Sequence, residues 1–347
     1  MLQSCSLFHS TYIRSIAILS PRLSIMIVWF PGYGFGEFMQ IAFLYALTAL
    51  IWGSTWLAIT FQLGSVDPEI SVVYRFALAS GILIAYSLVR RLPMRFTLRE
   101  HGFMALQGLT LFSINYVLVY VAELHLASGY VAIVFSLIVV FNVLFGAAFL
   151  RIPVRPRVLL GGAIGIVGLS LVFLPNLGGL NLSAGAGLGL VLALVGTIIA
   201  SLGNMVSARN QRHKIPVVQA NAYGMGYGAL ITLGIALVRG SEISFDASAE
   251  YVLSLLYLAI FGTVIAFGSY LTILGRIGAD RAGYIAVLFP IVALLFSTVY
   301  EGLTWELITV LGVGLVVVGN VIAMTRRRRS ESQLSASPSS SASRLSN

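Results

Sequence analysis

Gly129-Tyr130-Val131-Ala132-Ile133-Val134-Phe135 returns 154 residues later as Gly283-Tyr284-Ile285-Ala286-Val287-Leu288-Phe289. Gly, Tyr, Ala and Phe hold identical places in the two windows, and the remaining positions are aliphatic in both. The same offset aligns Tyr116 with Tyr270. Each copy opens a long apolar run after a short polar break. A repeat of this kind in a very apolar chain points to a membrane transporter built from two related halves.

Composition supports the membrane reading. Hydrophobic residues make up 58% of the 347 and charged residues 10%, with a mean hydropathy of +0.95. A soluble domain carries about 25% charged residues, so this inventory cannot cover a water-exposed surface. The net charge of +9 would suggest nucleic acid in a soluble chain. Here the basic residues sit in short breaks between apolar runs, where orientation signals lie, and nucleic acid is set aside as a partner. One cysteine, Cys5, excludes an internal disulfide and a cysteine-built metal site.

Uncharged or nearly uncharged runs cover 38–66, 70–89, 102–122, 126–150, 215–238, 251–275, 282–300 and 307–325. Val158 to Ala208 adds 51 residues without a charge. That is too long for one crossing of about 20 residues, and Pro175-Asn176 with the glycine-rich 178–189 divides it in two. Backbone groups in lipid must be satisfied within their own segment. The expected fold is therefore all-α and integral to the membrane, with ten transmembrane helices as two inverted five-helix repeats. The repeats are placed at 39–174 and 187–325. Residues 1–36 read as a poorly ordered extension, and 326–347 as a disordered basic and Ser-rich cytoplasmic tail.

Alternate breaks carry Arg90, Arg91, Arg95 and Arg99, then Arg151, Arg155 and Arg157, then Arg209, Arg212 and Lys214, then Arg276 and Arg281. The other breaks hold Asp67, Glu69, Glu123, Glu242, Asp246, Glu250, Glu301 and Glu306 against the single base Arg239. The positive-inside rule puts the first set, and both ends of the ten-helix core, in the cytoplasm. Five crossings per half is an odd number, so the repeated motif faces outward once and inward once. Such inverted repeats hold a substrate site near the midplane, where the halves meet.

A family resemblance rests on Trp52-Gly53-Ser54-Thr55, Tyr74-Arg75-Phe76, Ala279-Asp280-Arg281-Ala282-Gly283, Phe289-Pro290, Glu301 and the glycine helix Gly312 to Gly319. In this order and spacing they resemble the EamA branch of the drug/metabolite transporter superfamily, over about Met39 to Met324. The resemblance implies a five-plus-five inverted-repeat fold in the bacterial inner membrane. It also implies movement of small metabolites, amino-acid-like or drug-like, often outward. One departure stands out. The family has Pro and then Glu in the first half too, where this chain reads Ser136-Leu137-Ile138-Val139-Val140-Phe141-Asn142 and later Phe149-Leu150-Arg151.

The candidate substrate-cavity residues are Trp52, Thr55, Arg75, Asn115, Tyr116, Glu123, Asn142, Asn204 and Tyr270. Arg75 either faces a cavity, where its fork can grip a carboxylate or phosphate, or snorkels to the outer interface. Glu123 is either a proton-coupling carboxylate or a solvated acid in an outer loop. Ser, Thr and Asn inside crossings commonly tie helices together, and Trp52 and Tyr116 read equally as core rings or as stacking surfaces. His125 reads as a loop histidine, Glu301 as helix-end packing, and Gly53 and Gly203 as close-packing sites. Pro290 should kink its helix.

Signatures for GxSxG, P-loop and HExxH chemistry are absent from the sequence, so neither enzyme nor cofactor is expected. The rival readings are a membrane-embedded enzyme acting on lipid and a non-transporting scaffold. Proton coupling and a homodimer stay open. The orientation is testable with single cysteines on a Cys5→Ser background. Glu242→Cys should react with an impermeant maleimide in intact cells, and Arg91→Cys only after lysis.

Overall fold

The computed structural model describes residues 35–151, 156–178, 184–277 and 285–324. The N-terminal extension, the basic tail and the second copy of the motif as far as Tyr284 lie outside the described residues. Every described element is a helix: α1 Phe35–Thr60, α2 Pro68–Val89, α3 Leu98–Glu123, α4 Ser128–Leu150 and α5 Pro156–Gly178. They continue with α6 Ala184–Arg212, α7 Val217–Arg239, α8 over 249–277, α9 Ile285–Tyr300 and α10 Leu307–Met324.

Seven of these are long and apolar enough to cross a membrane, and three shorter apolar helices lie at Pro156–Val172, Ile285–Tyr300 and Leu307–Ile322. Seven of the ten expected crossings therefore reach spanning length among the described residues. The apolar run ending in α9 begins at 282, and the helix is described only from Ile285. Its 16 residues span about 24 Å at 1.5 Å per residue, short of the roughly 30 Å of hydrocarbon.

Local chemistry sets the helix ends. Pro68 occupies the first turn of α2, where its missing N–H is no loss. Thr97 and Glu100 form a reciprocal capping box at the start of α3. Gly240 ends α7 with φ +75°, and its N–H closes onto the last turn. Two helices carry wide π turns, Thr110–Ile114 in α3 and Tyr257–Ile265 in α8. α4 is broken at Leu137. π turns mark functional positions more often than plain helix does. Here they lie in the third helix of each stretch of five.

Small residues let the helices approach closely. A Cβ on Gly312 of α10 would meet Gly168 O at 2.6 Å and Val172 N at 2.7 Å. A Cβ on Gly168 of α5 would meet Gly312 O at 2.6 Å and Val316 N at 2.7 Å. The contact is reciprocal atom for atom. Gly53 on α1 backs onto Val292 and the carbonyl of Phe289 on α9, and Gly203 on α6 faces Thr110 and Leu111 on α3. Both glycines are thus packing sites, as expected.

The central core gathers Phe76, Phe112, Tyr120, Val131, Ile133 and Leu294. Leu88, Phe149, Leu160, Leu237, Leu295 and Val299 point outward and stay exposed, as side chains meeting lipid do. Interhelical hydrogen bonds add to this packing: Ser80 Oγ donates to Ala222 O at 2.7 Å, Thr232 Oγ1 to Ser113 Oγ at 2.7 Å, and Gln107 Nε2 to Asn221 Oδ1 at 2.9 Å. Replacing Gly312 by Ala should destabilise the bundle by about 1–3 kcal/mol through overpacking. Gly314→Ala, which meets nothing within 4 Å, should leave the thermal midpoint in detergent unchanged.

Candidate functional site

Arg75 is the eighth residue of α2, about 10 Å along the helix. Its surface is 2% exposed, so it does not snorkel. The Nε–H donates to Thr263 Oγ1 on α8 at 3.4 Å, and Nη1 donates to Tyr120 OH on α3 at 3.5 Å. Both bonds are long. The guanidinium lies 4.7 Å from the ring centre of Tyr116 and 5.4 Å from that of Phe76, within cation–π range. The ion pair present among the described residues, Arg239 Nη1 to Glu69 Oε1 at 2.6 Å, is elsewhere. Arg75 therefore sits buried in a cage of rings and hydroxyls, without a carboxylate at pairing distance.

The geometry of α8 builds one wall. Its π turn lets Thr263 Oγ1 donate to Leu258 O, five residues back, at 2.8 Å. Trp52 Nε1 of α1 donates to Gly262 O at 3.3 Å. Gly262 leaves room for both partners: a Cβ there would meet Thr55 Cγ2 at 2.7 Å and Arg75 Nη2 at 3.6 Å. Rings continue the wall. Trp52 stands 5.3 Å from Tyr270 and 5.4 Å from Phe267, and Phe267, Phe112, Phe76 and Tyr116 follow at ring-contact distances. Trp52, Thr55, Arg75, Tyr116 and Tyr270 are thus brought together from α1, α2, α3 and α8.

Glu123 closes α3 and is 8% exposed, so it is not a solvated loop acid. Neither carboxylate oxygen has a hydrogen-bond partner among the described residues. Arg75 and Glu301 are its charged neighbours. Glu301, just beyond α9, accepts from Ser128 N at 3.1 Å and from Ser128 Oγ at 2.6 Å. It caps α4, which is the helix-end role expected for it. His125 is exposed in the connecting turn.

The other candidates lie apart from this cluster. Asn142 Oδ1 accepts from Ser201 Oγ at 2.8 Å and from Asn204 Nδ2 at 3.2 Å, tying α4 to α6. Asn115 Nδ2 donates to Leu111 O on its own helix at 3.3 Å, and its carbonyl faces Gly196 of α6. These three serve the α3–α4–α6 packing.

Sequence reasoning missed Tyr120, Gln62 and Thr263. Tyr120 OH donates to Gln62 Oε1 at 2.8 Å, linking the end of α1 to the cage. Tyr120 lies one helical turn beyond Tyr116 on the same face, and that spacing is the signal that could have found it. Thr263 gives no such sign, because its position depends on the π turn.

The model of the EamA-like transporter family matches residues 39–174 and 187–325. The chain is 32% identical to "Uncharacterized inner membrane transporter YedA" of Escherichia coli (strain K12), over 79% of this chain and 87% of that protein. It is 24% identical to "Probable amino-acid metabolite efflux pump" of Salmonella typhimurium (strain LT2), over 82% and 96%. A solved crystal structure aligns with a TM-score of 0.60 at 19% identity, over 82% of this chain and 96% of its own, which shows a shared fold. With its apolar helices, the chain is a multi-pass inner-membrane protein.

Tyr120→Phe removes the donor to Gln62, whose Nε2 is already unpartnered and buried. The loss should cost about 1–3 kcal/mol and lower the thermal midpoint, while Tyr116→Phe, which keeps the ring face over Arg75, should leave it nearly unchanged.

Proposed function

We propose that this chain, which belongs to the EamA-like transporter family, is a secondary transporter that moves a small organic metabolite by alternating access. One observation carries the reading: a buried guanidinium without a paired carboxylate, at the place where the two family-matched stretches meet. Arg75, Tyr116 and Tyr120 come from the first stretch and Thr263 and Tyr270 from the second. A cation buried in hydrocarbon is costly and marks a substrate or ion path. Its unused donors suit an acidic group on the solute, and the rings of Trp52, Tyr116 and Tyr270 suit an apolar or aromatic body.

The architecture behind this reading is ten crossings in two inverted halves, with the three shorter apolar helices also spanning. Support comes from the reciprocal α5–α10 crossing, which a twofold axis in the membrane plane would produce, and from π turns in α3 and α8 alike. The alternating basic breaks favour both ends of the core in the cytoplasm, and efflux is the direction in which one relative's name points. In this scheme Asn115, Asn142 and Asn204 hold α3, α4 and α6 together beside the path. The rival readings, a lipid-acting enzyme and a scaffold, have no observation of this kind behind them.

The test is flux in liposomes carrying the full chain, with a mixture of labelled amino acids as probe. The wild type should accumulate or exchange label well above empty liposomes. Arg75→Glu should reduce that flux by about 100-fold, as expected for losing a charge-assisted anchor of roughly 3 kcal/mol, and Arg75→Lys should recover part of it. Equal flux by wild type and Arg75→Glu would remove Arg75 from the mechanism.

A further inference from the structure

We propose that Glu123 is the coupling site, the carboxylate that binds a proton while its end of the bundle is closed and releases it when that end opens to water. The inference rests on the transporter reading and adds to it the identity of the driving ion.

The argument begins with what surrounds the group. Glu123 is a carboxylate 8% exposed with both oxygens unpartnered among the described residues. Native structures rarely leave buried polar atoms in this state, and an ionised carboxylate is the costliest group to leave so. Two of its charged neighbours decide the matter between them. Glu301 contributes negative charge, and its own oxygens are occupied by the Ser128 amide and hydroxyl. Arg75 contributes positive charge, but its guanidinium is engaged by Thr263, Tyr120 and the two rings, and it forms no ion pair with Glu123. A carboxylate shut away from water beside another negative charge is stabilised by taking up a proton. Glu301 has hydrogen-bond donors for its oxygens, and Glu123 has none among the described residues.

Among the described residues, no other group packed against this end hydrogen-bonds Glu123. On its own helix, Tyr120 is committed to Gln62 and Arg75. On α2, Tyr74 OH donates to Ser244 O and Glu69 pairs with Arg239. Tyr130 of α4 lies near Glu306. α6 brings no titratable side chain before Arg209, at its far end. α1 brings Gln62, which does not titrate.

The position also gives the proton a way in and out. Glu123 ends α3, and the turn after it, with exposed Leu124 and His125, leads directly to Ser128 and the Glu301 cap. Movement of α4 or α9 that breaks the cap would hydrate both carboxylates together. The step is a simple proton transfer: the O–H bond of Glu123 breaks, water takes the proton, and the reverse occurs on closure.

Difference infrared spectroscopy of the full chain in liposomes, titrated from acid to alkaline buffer, reads the group without any substrate. The wild type should show a protonated-carboxyl C=O stretch that fades as the buffer turns alkaline. That band should vanish completely in Glu123→Gln, shift in frequency in Glu123→Asp and persist in Glu301→Gln. In the labelled amino-acid assay, an imposed pH gradient should speed uptake by the wild type and not by Glu123→Gln. A band that survives in Glu123→Gln, a carboxyl that does not titrate, or gradient stimulation that survives in Glu123→Gln would each overturn the proposal. Because the infrared arm needs no flux, absence of transport would count against the transporter reading separately.

Discussion

A buried guanidinium with no ion-pair partner among the described residues is the constraint that orders this molecule. Arg75 keeps its charge at any accessible pH, so the bundle has to supply compensation by other means. It does so with ring faces from Tyr116 and Phe76 and with oxygens from Tyr120 and Thr263. Those four groups fix how α2, α3 and α8 meet. The bonds to oxygen are long, at 3.4 and 3.5 Å, so the compensation is partial. A site that stabilised the cation fully would leave nothing for an incoming anion to contribute.

The π turns follow from the same need. A regular helix places side chains on a fixed schedule of about 100° per residue, and an extra residue in one turn rotates everything beyond it. In α8 the wide turn presents Thr263 to the guanidinium and leaves Gly262 facing Trp52, Thr55 and Arg75 at once. In α3 the wide turn precedes Tyr116 and Tyr120, so both reach the cage. Sequence periodicity assumes an unbroken helix, and this is why Thr263 could not be placed from the sequence while Trp52, Arg75 and Tyr116 could. Those three are large or charged residues inside apolar runs and announce themselves by cost alone. Gln62 was hidden for the opposite reason: it lies at the polar end of its run, where an amide attracts no notice.

The coarse design was more legible than the site. Alternating apolar runs and basic breaks are imposed by the bilayer, a solvent with one thickness and one polarity, so they appear directly in composition. Gly129 of the first motif copy and the glycine-rich last helix likewise record close backbone approach. Partnerships across the bundle are a different matter. Asn142 and Asn204 were grouped with Arg75 because they are polar in an apolar setting, yet they bond to each other and to Ser201. Polarity in a membrane helix indicates that a partner exists and says little about which one.

The crossing of α5 and α10 has a mechanical consequence. Backbone there lies against backbone, with Gly168 and Gly312 contributing no side chain to interlock. Elsewhere, sliding one helix past another forces rotamers to change in step, because the ridges of one fill the grooves of its neighbour. At Gly168 and Gly312 the ridges are interrupted. Fewer rotamers stand in the way of a pivot about that point, as between two smooth rods pressed at a bearing.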